Sequence, residues 1–344
     1  MSALPPADWL PAAFNEGWSY RDRIRPADLV VSAQSPELWL SGFYADRYSH
    51  SDPAVWLQRL AAGQIWRNGQ QLWADVTLQA GDRLVWHRPP WQEAAVPVLP
   101  GPLFDDGDLV VFNKPSGLPV LPAGGFLRHT VLGQLEGLLA AGALDATAGV
   151  PRPVHRLGRF TSGLLVCARS AGARAWLSAQ LRESTARKVY RALLNPPLPD
   201  SPLQTLARDH GSEVVVETPI GRRPHPALGT IWNAAGPADR QALPSHSCFR
   251  LVARRPESWL VQVAIATGRP HQIRIHAAAA GAPLLGDRLY RPGGQAGPGA
   301  LPGDGGYCLH AHRLKLSRPD GRLLELEAPL PPALQVCHQG QPRL

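Results

Sequence analysis

Lysine and methionine are almost missing from this chain of 344 residues. Lys114, Lys188 and Lys315 are its three lysines and Met1 its single methionine, so nearly all of its 35 basic residues are arginines. Guanidinium groups favour bidentate phosphate contacts and stacking on bases. A genome that encodes arginine by default explains the bias equally well, and the 36 prolines fit that explanation too. Cysteine is also scarce. Cys167, Cys248, Cys308 and Cys337 form no C-x-x-C pair, so neither a zinc site nor a disulfide framework is indicated, and a reduced, cytoplasmic protein is expected. No run of 18 apolar residues exists, so no membrane span is expected. The start, "MSALPPADWLPAAFNEGW", lacks the basic and apolar segments of a secretory signal.

What is present is a globular balance of 44% apolar and 18% charged residues with a net charge of +8. The length suits two or three domains. Residues 1–36, rich in Pro and Trp, read as an irregular extension. From 37 to 62 the apolar spacing turns helical, with Gly63 as a stop. Asn68-Gly69 marks a tight turn between short strands, and 80–86 reads as a turn and a strand. Residues 91–104 carry several prolines and are expected to form a stiff linker. Strands and turns dominate 105–335, and 336–344 is a tail. "SWLVQVAIATG" alternates, placing Trp259, Val261, Val263 and Ile265 on one face. "AGARAWLSAQLRES" is a helix with Ser170 as its N-cap. The class is α+β with a mostly antiparallel sheet.

Polar groups gather in three places. "HRLGRFTSG" (155–163) holds His155, Arg156, Arg159, Thr161 and Ser162 before an apolar strand. Lys188 and Tyr190 lie two apart on a strand and share a face. "TGRPHQIRIH" carries Arg269, His271, Arg274 and His276 where a strand meets a helix, a place suited to a phosphate. Taken singly, each has a structural explanation. A strand tyrosine usually packs, a loop arginine is usually solvated, and His271 with His276 lacks the company a metal site needs.

In this order, the segments resemble the RluA-type pseudouridine synthases. "DLVVFNKPSGLPVLP", "HRLGRFTSGLLVCAR", "RKVYRALL", "TGRPHQIRIHAAAAGAPLLGDRLY" and "LHAHRLKLSRPDGRLLELEAPLP" match that family's segments across 105–335. Residues 37–90, two short helices and a hairpin, resemble the alpha-L RNA-binding module, in which Arg59, Arg67 and His87 would meet RNA. The resemblance implies the pseudouridine synthase fold, a mixed but mostly antiparallel sheet flanked by helices. It implies a monomer that flips a uridine out of rRNA or tRNA, detaches the base from its ribose and rejoins it through carbon 5, with no cofactor or metal. Tyr190 would stack on the base and handle protons, and Arg274 would pair with the catalytic aspartate. Arg156 would extrude the base and hold RNA. Arg269 and His271 would shape the rim, with His155, Arg159 and Lys188 also facing RNA. Leu157 and Ile273 would line the pocket.

One position departs from the pattern. The family's nucleophilic aspartate is Gly158 here. Two readings follow: an RNA pseudouridine synthase with altered chemistry, or an inactive RNA binder on the same scaffold. Arg274 would then face water, an RNA phosphate or another carboxylate, and a carboxylate would be a substitute nucleophile. Asp105, Asp106 and Asp287 are the nearby acids, and none stands out for that role.

Overall fold

A computed structural model describes residues 6–29, 37–48, 50–143, 149–183, 186–207, 211–226, 228–236 and 238–336. Cys337 and the rest of the expected tail beyond Val336 lie outside the described residues. The chain divides into two compact units: Ala13–Glu93 with Pro224–Thr230, and Met1–Ala12 with Ala94–Arg223 and Ile231–Leu344.

In the smaller unit, β1 (Trp18–Arg23), α1 (Leu40–Arg47), α2 (Pro53–Ala61), β2 (Ile65–Arg67), β3 (Gln70–Leu72) and β4 (Arg83–Arg88) follow in order. Local chemistry sets the helix ends. The Asp52 carboxylate accepts the Val55 N–H at 2.9 Å, and Pro53 takes the first helical position, where no amide donor is needed. Gly63 beyond the C-terminus has φ +66°, as its place as a stop requires. Asn68 and Gly69, with φ 52° and 86°, turn β2 into β3. Leu40, Tyr44, Trp56, Leu60, Ile65, Leu84 and Trp86 form the core.

The irregular extension expected over 1–36 is corrected for Trp18–Arg23. These residues pair antiparallel with β4 from Trp18↔Arg88 to Arg23↔Arg83, in a sheet of order β1-β4-β2-β3. Tyr20 stacks on Trp86 with ring centroids 4.8 Å apart. The strand is mostly polar and half-exposed, so its partner 65 residues away leaves no local apolar signal. Nor is the stretch 91–104 a free linker. Gln92–Glu93 pairs with Ala13–Phe14, and Val96–Pro97 pairs with Trp9–Leu10.

The larger unit is built on one sheet. Its main strands are β5 (Pro102–Asp105), β6 (Leu109–Lys114), β7 (Thr161–Ala168), β8 (Arg187–Leu194), β9 (Glu213–Val216), β10 (Ser247–Arg255), β11 (Ser258–Ile265), β12 (Leu309–Ser317) and β13 (Leu323–Glu327). They run in the order β9-β10-β11-β8-β12-β7-β6-β5, with β13 on β12. Helices α3 (Val131–Ala140), α4 (Ala171–Arg182) and α5 (Gln272–Ala279) flank it. Ser170 caps α4, accepting the Ala173 N–H at 3.0 Å. The Trp259, Val261, Val263, Ile265 face is buried together with Ile273 and Ala277 of α5. β7 is buried along its whole length, as the continuous apolar run "GLLVCA" requires.

One pairing is unlike the others. β7 and β12 run parallel, with Thr161↔Leu309, Ser162↔His310 and Gly163↔Ala311. Gly163 sits at φ +101°, and a Cβ there would lie 2.2 Å from the Ala311 carbonyl oxygen, so only glycine permits this approach. Parallel pairing brings the loops before both strands to the same end of the sheet. Positions 158 and 307 are neighbours for that reason.

Candidate active site

Four segments converge on a cavity of about 190 Å³ at that end. The loop before β7 brings His155, Arg156, Leu157 and Gly158 to it, and β8 brings Lys188 and Tyr190. The entry to α5 brings Arg269, His271, Ile273 and Arg274, and Tyr307 comes from the loop before β12. All the cavity-facing residues named from the sequence meet here. Arg159, Arg59 and Arg67 do not line it.

The loop before β7 is held from below by Lys114. This lysine is fully buried, and its ammonium donates to the carbonyls of Pro115, Leu118 and Arg159 at 2.9, 2.8 and 3.1 Å. Burial, with Arg159 nearby, pulls its pKa down to about 7. The Arg159 guanidinium donates to the Gly117 carbonyl at 3.0 Å, and the Gly117 N–H returns a bond to the Arg159 carbonyl at 2.9 Å. Lys114 therefore ties together the Pro-Ser-Gly turn and the "HRLGR" loop. Lys114→Met would strip the ammonium donor from the Pro115 and Leu118 carbonyls and leave the Arg159 carbonyl with only the Gly117 N–H. The expected result is a loss of about 3 kcal/mol, a fall in Tm of roughly 5–12 °C by thermal unfolding.

His155 is a brace in this geometry. Its Nε2 accepts the Val166 N–H at 3.0 Å, which requires the neutral ring, and burial with Lys188 nearby pulls its pKa down to about 4. Burial pushes the Tyr190 phenol up to about 12, so at neutral pH the hydroxyl keeps its proton. Burial, then the charge of Arg269, lowers the pKa of Lys188, whose ammonium donates to the Leu181 carbonyl at 3.2 Å. Arg269 donates through Nε to the Pro244 carbonyl at 3.0 Å. Arg156 is exposed at the mouth.

His271 takes left-handed backbone, φ 56°, at the start of α5. The Tyr290 hydroxyl donates its proton to the Trp232 carbonyl at 2.7 Å, so His271 Nδ1 must donate to the tyrosine oxygen, also at 2.7 Å. Nε2 is then a bare lone pair. Burial, then the charge of Arg274, pulls this imidazole down to about 3. His276 is used elsewhere, between Ser247 and the Thr218 carbonyl. Among the described residues no group of three His, Cys, Asp or Glu is placed to hold a metal ion.

Arg274 is 3% exposed and its partner, Asp287, 0%. The bond is bidentate, Nε to Oδ2 at 2.7 Å and Nη2 to Oδ1 at 2.8 Å. Asp287 also accepts the N–H groups of Leu289 and Tyr290, at 2.9 and 3.3 Å. A carboxylate thus stands beside Arg274, as one of the three expectations for that residue had it. It is saturated with donors and does not line the cavity, which leaves it no role as a nucleophile. On its other side the guanidinium lies 4.2 Å from the ring centroid of Tyr307.

The sequence reading missed two residues of the site. Lys114 lay in a quoted segment but was assigned no role. Tyr307 stood two residues before the last of the quoted segments and was assigned no role, and only the parallel β7–β12 pairing gives it meaning. In the smaller unit, Arg59 stacks on Trp56 and Trp86 at 4.1 and 4.5 Å, and Arg67 pairs with Asp82 at 2.8 Å.

A cavity at one end of a mostly antiparallel sheet, walled by a strand tyrosine and by an arginine whose carboxylate partner is buried behind it, has the makings of an enzyme active site. The family described as RNA pseudouridylate synthase matches residues 108–279. An uncharacterized RNA pseudouridine synthase of Synechocystis is 43% identical over 85% of this chain and 94% of its own length. RNA pseudouridine synthase 5 of Arabidopsis thaliana is 36% identical over 98% of this chain and 99% of its own. The fold is shared with human RNA Pseudouridylate Synthase Domain Containing 4, with a TM-score of 0.51 at 24% identity over 68% of this chain and 90% of that one. This chain belongs to the RNA pseudouridine synthases, which are isomerases.

Proposed function

We propose that the chain isomerises a uridine in structured rRNA or tRNA to pseudouridine. The target base is flipped into the cavity at an unstacking cost of roughly a few kcal/mol. The observation that carries this reading is the convergence of Tyr190, Arg274, His271 and the "HRLGR" loop on one cavity. Tyr190 stacks on the base and donates a proton. Leu157 and Ile273 supply apolar wall, and both are nearly buried. Arg156 at the mouth holds RNA and takes the place the base vacates. Arg269, His271 and Lys188 shape the rim toward the phosphates. Arg159 supports the loop, and Arg59 and Arg67 support the fold of the smaller unit behind its RNA-facing surface. One chain supplies every residue of the cavity, so the reading needs no second copy. The names of the relatives give no support to the inactive RNA binder over the enzyme.

The test is chromatographic. Unmodified rRNA and tRNA transcripts are incubated with the purified chain, digested to nucleosides and separated. Pseudouridine is expected at one or a few sites, and its absence from every transcript would count against the reading. Arg156→Ala is expected to weaken RNA binding about tenfold and to lower the slope of log K against log salt by about one phosphate's worth. An unchanged slope would remove Arg156 from the RNA contact.

A further inference from the structure

Gly158 and Tyr307 compete for one space. A Cβ built on Gly158 would lie 2.3 Å from the Tyr307 hydroxyl oxygen, 3.3 Å from Thr161 Oγ1 and 3.6 Å from Tyr307 Cζ. The first distance is below any real carbon–oxygen contact, so no side chain fits at 158 while the phenol is there. The hydroxyl occupies the root of the position from which the family's carboxylate would project. It is bonded to Thr161 Oγ1 at 3.2 Å, and the residue lines the cavity although it is 5% exposed. Its ring carries Arg274 at 4.2 Å and meets Phe160 edge-on at 5.9 Å.

These observations go together. Arg274 is the cation that the resemblance pairs with a catalytic carboxylate. Here it keeps a structural carboxylate on one side and covers a phenol ring on the other. Negative charge developing on the phenol oxygen would meet a fixed cation over the ring and the Thr161 hydroxyl as a donor. A ring clamped on three sides does not advance to form a bond to a carbon atom. It can exchange a proton, which requires no heavy-atom displacement.

We propose that Tyr307 is the catalytic acid–base of this enzyme, supplying from the loop before β12 the oxygen that the family supplies from position 158. The role rests on the uridine-isomerising reading above. In its ionised form Tyr307 takes the proton from C2′ of the target ribose. The C2′–H electrons form the C1′=C2′ double bond, and the C1′–N1 electrons leave with the uracil as its anion. The base turns. Tyr307 returns its proton to C2′, and C1′ is captured by uracil C5. The hydrogen on C5 then leaves as a proton and N1 gains one, so the product is an isomer and no oxidant or co-reactant is consumed.

Tyr307→Phe keeps the ring and the Arg274 contact and removes only the oxygen. Its kcat is expected to fall about 10²–10⁴-fold, with the Kd for RNA within twofold and Tm within a few degrees of wild type. Deuterium at C2′ of the target uridine is expected to slow the wild-type enzyme severalfold, an effect that a purely structural tyrosine would not produce. A Tyr307→Phe variant within threefold of wild type would overturn the role, as would a wild-type rate indifferent to C2′ deuterium, and both leave the isomerase reading intact. Wild-type protein that makes no pseudouridine would overturn the reading itself and the role with it.

Discussion

Asp287→Asn lowers the stability of the larger unit by about 3–5 kcal/mol. Both partners of the Arg274–Asp287 pair are out of solvent, and the carboxylate accepts four N–H donors. An amide offers one oxygen to those donors and turns an NH2 group toward the rest. Arg274 is left as a buried, uncompensated charge, which costs far more than the pair is worth over an apolar substitute. For a unit of this size the loss is roughly 10–15 °C in Tm. The double variant Arg274→Met, Asp287→Asn removes the stranded charge and is expected to be more stable than Asp287→Asn alone. That coupling separates an electrostatic cause from simple loss of packing. Thermal unfolding of wild type, Arg274→Met, Asp287→Asn and the double variant checks it. Additive single effects would mean the two side chains do not work as a pair.

Gly158→Asp, the substitution that restores the family's residue, is expected to lower the activity of the chain. The new Cβ lands 2.3 Å from the Tyr307 oxygen, so the loop before β7 or the tyrosine must shift. Overpacking of this kind costs about 1–3 kcal/mol, and the shift moves Thr161 and Arg274 relative to the cavity. Combining Gly158→Asp with Tyr307→Phe deletes the clashing atom and leaves Cζ at 3.6 Å, an ordinary contact, and Thr161 Oγ1 at 3.3 Å, which has to give by a few tenths of an ångström. The double variant is expected to recover stability and to turn over faster than either single variant, because a carboxylate at 158 then has room. Activity that rises in Gly158→Asp alone would show that the position is merely vacant. Pseudouridine formation and Tm, measured across the four proteins, close the cycle.

These two results depend on contacts that the sequence did not reveal. Its motifs named the residues of the cavity well, because short spacing on one strand or one loop fixes neighbours such as Lys188 with Tyr190. Alternation also placed Trp259, Val261, Val263 and Ile265 on one buried face. Contacts across the fold were out of reach. Asp287 was noted only as one of three nearby acids, and its bond to Arg274 depends on how the chain after α5 folds back. Tyr307 acquires its position from the parallel β7–β12 register, which links residues about 150 apart. The arginines were the hardest to read. Free and engaged guanidinium groups look alike in a sequence, yet Arg59 is stacked on two tryptophans, Arg67 is paired with Asp82, and Arg156 alone of the loop arginines stands exposed at the cavity mouth.

The central claim is that a chain with glycine at position 158 makes pseudouridine. Joining ribose to C5 expels the hydrogen there, so RNA labelled with tritium on uracil C5 reports each isomerisation as tritium released to water. Purified wild-type protein is expected to release many equivalents of tritium per chain from its RNA. Tight RNA binding without tritium release above background would contradict the claim.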